Sequence, residues 1–225
     1  MSNIYIICEG QTEQLFVRDV LAPYFLTVKN ECYLTSVLIG TSNHKGGDVR
    51  FSRFVNNVKN FRNVDCYISS LLDFFRIDSN WPGIAEIKLQ KMNGCTLRKE
   101  DILKILNEKT LEKVCSECNI NPTKFISNFV MHEFEALLFS DVEKLTNNIS
   151  INGSRTNFSE ILNNYNNDPE LINMITAPSR IILNEKKNYK KTVDGLSIAK
   201  DIGIDKMRQE CSCFNTWIEQ LIALE

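Results

Sequence analysis

Four short apolar runs, separated by stretches with helical spacing, constrain this chain more than any other feature. The first, Ile4-Tyr5-Ile6-Ile7-Cys8, stops at Glu9-Gly10 and is followed at once by Leu15, Phe16, Val20 and Leu21. That pattern predicts a buried strand, a tight turn and an amphipathic helix. The helix is expected from Thr12 to about Tyr24, with Pro23 marking an end or a bend. A second strand is predicted over Cys32–Ile39, a third over Cys66–Leu72 ending at Asp73, and a fourth over Phe125–Val130 ending at Met131-His132-Glu133.

Between the strands, Val49, Phe51, Phe54, Val55, Val58 and Phe61 have helical spacing, as do Ile102, Leu103, Ile105, Leu106, Leu111 and Val114 within Arg98–Cys118. Trp81-Pro82-Gly83 reads as a turn, and Phe134–Leu145 continues as a helix. Strand and helix therefore alternate up to about Leu145, which argues for an α/β fold with a mainly parallel sheet and helices on both faces. The boundary is drawn at 146: residues 1–146 form the core, and 147–225 form an Asn-rich insertion followed by a helical C-terminal region packed on it. Ile198–Leu224 reads as two helices broken at Gly203 and around Cys211–Cys213.

Composition narrows the function. A formal net charge of −2 argues against a bulk electrostatic nucleic-acid binder and leaves room for a local basic patch. No apolar run is long enough to span a bilayer, and the first residues lack a secretion signal. Several of the eight cysteines lie inside strand-like or helix-like runs, so reduced thiols in a cytoplasmic protein are expected. Cys115 and Cys118 have zinc-like spacing but fall in a helical pattern.

In a parallel sheet Glu9, Asp73 and Glu133 project from one edge, the C-terminal edge where ligands bind. Clustered carboxylates repel one another unless a cation sits among them. Oxygen ligands select Mg²⁺ or Mn²⁺ over zinc. Glu13 lies one helical turn beyond Glu9, and Glu135 two residues beyond Glu133. Each acid also has a plain reading: a helix-start charge for Glu133, a turn residue for Asp73, a solvated face for Glu135. His132 reads as a packing or supporting residue, since hard metals prefer oxygen. His44 and Lys45, in the loop Gly40–Gly47, could touch a phosphate but carry no phosphate-loop pattern.

Cys8-Glu9-Gly10-Gln11-Thr12-Glu13 with Leu21-Ala22-Pro23 resembles the opening of the Toprim domain. The chain more closely resembles a bacterial domain-of-unknown-function family, 4276, grouped with Toprim proteins of the overcoming-lysogenization-defect and anti-phage type. The similar segments include Leu72-Asp73-Phe74-Phe75, Trp81-Pro82-Gly83, His132-Glu133-Phe134-Glu135, Tyr189-Lys190-Lys191 and Asp194-Gly195. The resemblance implies a Toprim-like, Rossmann-like core and a Mg²⁺- or Mn²⁺-dependent nuclease cutting or nicking DNA or RNA. It also implies a role in defence against phage, with an ATPase as partner protein; homo-oligomerisation is left open. Metal ligands would be Glu9, Glu13 and Asp73.

The Toprim pattern has Asp-x-Asp where this chain has Asp73-Phe74-Phe75. Asp78, Glu133 or Glu135 replaces the second aspartate, or the site holds one metal, or catalysis is lost; replacement by Glu133 or Glu135 is the favoured expectation. Lys191, or Lys190 beside it, matches the lysine that such nucleases place near the scissile phosphate, where it would offset developing charge. The alternatives are a catalytically inactive Toprim-like binding or regulatory subunit, and a hydrolase of small phosphate compounds on the same edge.

Overall fold

The computed structural model describes residues 2–39, 49–149, 157–172 and 177–225. Strand β1 (Ser2–Cys8) runs straight into helix α1 (Gln11–Phe16). A π-helical turn, Val17–Leu21, carries α1 without a break into α2 (Ala22–Val28), with the Ala22 N–H reaching back to the Val17 carbonyl. Pro23 has no N–H to offer a regular α-ladder, and the wider register of the turn accommodates it. The expected helix is therefore longer than Thr12–Tyr24 and passes through the proline. Phe16, Val17, Leu21 and Phe25 are all buried along it.

β2 (Cys32–Leu38) returns parallel to β1, followed by α3 (Phe51–Lys59) and β3 (Tyr67–Asp73). β3 pairs parallel with β1 on the other side, Ile4 opposite Tyr67 and Cys8 opposite Leu71. After Asp73 a 3₁₀ turn, Phe74–Arg76, leads to Ile77, which bridges to Val49. Helices α4 (Ile84–Met92) and α5 (Lys99–Cys118) follow the Trp81-Pro82-Gly83 turn.

The fourth strand is two short ones, β4 (Phe125–Ile126) and β5 (Phe129–Val130), both parallel to β3. Between them Ser70 replaces the ladder. Its Oγ accepts the Asn128 N–H (2.8 Å) and donates to the Asn128 carbonyl (2.9 Å). Ser70→Ala would leave two buried backbone groups unpaired, and we expect a loss of about 2 kcal/mol or more in denaturant unfolding; an unchanged midpoint would show that the break relaxes at no cost.

The five strands run β2-β1-β3-β4, with β5 also on β3, and every pairing is parallel. Alternation along the strands divides the core. Ile4, Ile6, Cys8 and Leu71 face one apolar cluster, Ile7, Ile68 and Leu72 the other. The second cluster is closed by α3 and α5.

The first cluster is closed by α1 and by the rest of the chain. Phe134–Ser140 is a wholly buried 3₁₀ helix rather than the α-helix expected, and α6 (Val142–Ile149) begins after it. α7 (Phe158–Asn163), α8 (Pro178–Glu185) and a π-helical turn, Lys191–Gly195, lead to α9 (Leu196–Ile202), α10 (Ile204–Glu210) and α11 (Ser212–Ile222). The breaks at Gly203 and near Cys211 are present, and they give three helices. Trp217 of α11 donates its indole N–H to Ser69 of β3 (2.9 Å). Among the described residues, no helix is long and apolar enough to cross a membrane.

Candidate functional site

β1 and β3 are neighbours in register, so their C-terminal ends deliver Glu9 and Asp73 side by side. Glu9 Oε2 accepts the Asp73 backbone N–H (3.1 Å), and Asp73 Oδ1 accepts the Phe75 N–H (2.8 Å). Each carboxylate thus has one oxygen fixed by the backbone; the other accepts no hydrogen bond from a described residue. Burial pushes the Glu9 carboxyl up to about 8, with Asp73 and Glu13 adding repulsion against the partial relief of the Asp73 N–H. Burial likewise raises Asp73 to about 7, and Glu133 and Glu13 add to it. Burial also raises Glu13, against the pull of Lys191. Glu13 folds back over the turn: its Oε2 lies 2.9 Å from where a Cβ on residue 10 would stand, so a side chain there would push the Glu13 carboxylate aside.

A second pair of acids arrives from the segment after β5. Glu135 is 1% exposed. Lys191, at the start of the second π-helical turn, places its Nζ 3.0 Å from Glu135 Oε2 and 3.2 Å from Glu133 Oε1. Glu133 also accepts the Ser179 N–H (3.2 Å) and faces Arg76 at 3.7 Å. Burial alone would raise Glu133, but Ser179 and Lys191 outweigh it and hold it below the usual carboxylate range. Glu135 is raised by burial, with Lys191 offsetting part. For Lys191 burial opposes the charge, and Glu135 and Glu133 overcome it, so the ammonium is held above its ordinary pKa. The Tyr189 hydroxyl donates to Glu135 Oε1 (3.5 Å) and stands 2.6 Å from where a Cβ of residue 195 would be, so only glycine fits there.

The other sequence candidates fall elsewhere. Asp78 makes local contacts: its Oδ1 accepts the Asn80 N–H and its carbonyl accepts the Trp81 N–H. Lys190 is exposed and uses its backbone, donating to Asp194 (2.7 Å). His132 is buried, and burial lowers its pKa to about 4. His44 and Lys45 lie outside the described residues. Arg76, Tyr189 and Ser179 were not singled out from the sequence as site residues. Arg76 sits only three residues after Asp73, the one signal that could have drawn notice to it.

The segments that build this edge run from Glu9 to Lys191, and one family profile spans them all: "Domain of unknown function (DUF4276)" matches residues 8–222. The chain belongs to the DUF4276 family. No curated protein matches the sequence. Among solved structures, it is similar to the "C-terminal region of the Xanthomonas campestris pv. campestris OLD protein", with 15% identity and a TM-score of 0.40 over 97% of each chain. A likeness of that degree carries no information about the site.

In this DUF4276 chain the charged form of Glu9 and Asp73 is disfavoured by folding. A carboxyl whose folded pKa exceeds its unfolded value loses stability as pH rises between the two. With Glu9 at about 8 and Asp73 at about 7, both above ordinary carboxylates, metal-free protein should lose stability from about pH 4 to about pH 8. Glu9→Gln keeps the acceptor for the Asp73 N–H and should flatten that slope in urea unfolding with chelator present. An identical slope in the variant would mean Glu9 ionises freely.

Proposed function

We propose that this chain is a Mg²⁺- or Mn²⁺-dependent nuclease of the Toprim type. The observation that carries the reading is the Glu9–Asp73 pair: a half-buried and a buried carboxylate at the C-terminal ends of adjacent parallel strands, tied by the Asp73 N–H to Glu9, each with one oxygen that accepts nothing from a described residue. The donor chemistry fits a small hard cation. Mg²⁺ commonly takes one or two carboxylates and completes its shell with water and substrate phosphate oxygens. Among the described residues no three His, Cys, Asp or Glu side chains converge as a ready metal cage; in this reading Glu9 and Asp73 are the protein ligands, and water and phosphate oxygens complete the shell. When bound, the cation would supply a nucleophilic water at neutral pH and charge neutralisation at the phosphate.

The protein's own part is positioning. Glu133 and Glu135 serve as the cradle of Lys191 rather than as metal ligands in this reading, because both carboxylates already pair with its ammonium. Lys191 then presents a fixed positive charge to the phosphate, and preorganised charge of this kind stabilises a transition state. Arg76, beside Glu133, adds a second cation at the rim. A DNA or RNA substrate, an ATPase partner and a place in phage defence follow from the motif resemblance.

A second reading has a specific observation behind it. Phe74-Phe75 stands where the resembled pattern has its second aspartate, which fits a subunit that binds without cutting. Plasmid DNA and structured RNA incubated with Mg²⁺ or Mn²⁺, alongside a Mn²⁺ titration, separate the two. Cleavage with saturable metal binding supports the nuclease; no metal binding and no cleavage would leave the binding subunit.

A further inference from the structure

Phe75 is 55% exposed, yet both its backbone and its ring have partners at the sheet edge. Its backbone N–H is bound to the Asp73 carboxylate. Its ring stacks on His132, with centroids 4.9 Å apart and planes 23° apart, and Phe74 meets it edge-on at 5.1 Å. His132 beneath is 2% exposed, and its Nδ1 has no hydrogen-bond partner among the described residues. A buried imidazole nitrogen left unpaired is costly, and here the ring instead lies against a phenyl that remains half in water. Arg76, next in sequence, is 48% exposed at the same rim. An aromatic surface fixed from below, open to solvent, and flanked by a carboxylate pair and a guanidinium matches the chemistry of a nucleotide: ring face for the base, cation for the phosphate.

We propose that Phe75 is a stacking platform for one unpaired base beside the cleaved phosphodiester, so that the strand taken by this site is single-stranded or locally opened. The inference rests on the nuclease reading and adds the substrate class to it. Stacking suits an unpaired base because every base offers a π-face, whereas in a duplex those faces are already covered. Asp73 holds the Phe75 backbone N–H, while His132 and Phe74 hold the ring.

The test is binding, with Ca²⁺ in place of Mg²⁺ so that strands stay intact. Fluorescence anisotropy would compare a labelled 12-nucleotide DNA strand, its RNA counterpart and the DNA duplex, using wild type, Phe75→Leu and Phe75→Trp. Phe75→Leu keeps bulk and apolarity and removes the π-face. It should weaken single-strand binding by about 5- to 150-fold, the range for loss of one stacked base, and leave duplex binding unchanged. Phe75→Trp should bind at least as tightly as wild type. Equal single-strand affinity for Phe75→Leu and wild type would overturn the platform, as would an equal loss on strand and duplex. If wild type bound none of the three, the nuclease reading itself would fall, an outcome distinct from a platform failure.

Discussion

Asp73→Ala is expected to reduce divalent-metal-dependent cleavage to background while the protein stays folded, and Glu9→Ala to do the same. The expected loss exceeds about 10³-fold, because a missing ligand costs more than one missing hydrogen-bond donor. The fold should tolerate both changes. Asp73→Ala frees the Phe75 N–H of a single 3₁₀ turn, a loss of about 1 kcal/mol for a cap of this kind. Removing one of three mutually repelling carboxyls offsets part of it. Circular dichroism and Mn²⁺ titration should therefore report a folded protein with weakened metal binding. Equal residual cleavage by wild type and Asp73→Ala would assign the activity to a contaminant.

Lys191 should behave differently, on two counts. Turnover should fall by about 10²–10³ in Lys191→Met, with Mn²⁺ affinity retained. Stability should fall as well, because the variant takes the ammonium from buried Glu135 and leaves the Tyr189 hydroxyl as its side-chain partner among the described residues. Because Lys191 is 36% exposed and Glu135 can take up a proton, the loss is about 1–2 kcal/mol, below the cost of breaking a fully buried pair. Adding Glu135→Gln removes the stranded charge and should restore the unfolding midpoint without restoring turnover. Recovery of turnover in the double variant would make Lys191 a purely structural residue.

The contrast between these pairs explains what the sequence could disclose. Glu9 and Asp73 are legible because each closes a short apolar run, and a parallel sheet brings such ends to one edge. The alliance of Lys191 with Glu133 and Glu135 spans more than fifty residues, and nothing local encodes it. The same holds for the broken fourth strand, where the missing ladder is supplied by Ser70 from another strand. Phe134–Ser140 is buried on every side, so it has no polar face from which a helical period could be read. α4 escaped notice because only Ile84 and Ile87 of its apolar residues are buried, while Leu89 and Met92 are exposed.

The π-helical turn at Val17–Leu21 has a consequence for comparing relatives. A regular helix rotates about 100° per residue, so nine residues would put Phe25 about 180° from Phe16. The wide turn takes one residue's rotation back out, and both rings face the same core. The turn therefore behaves as a one-residue insertion that leaves the phase on either side intact. A relative without Pro23 could lack one position here and still aim Glu13 at the sheet edge and Phe25 at the core. A gap between Gly10 and Phe16 would instead swing Glu13 by a quarter turn or more, away from Glu9.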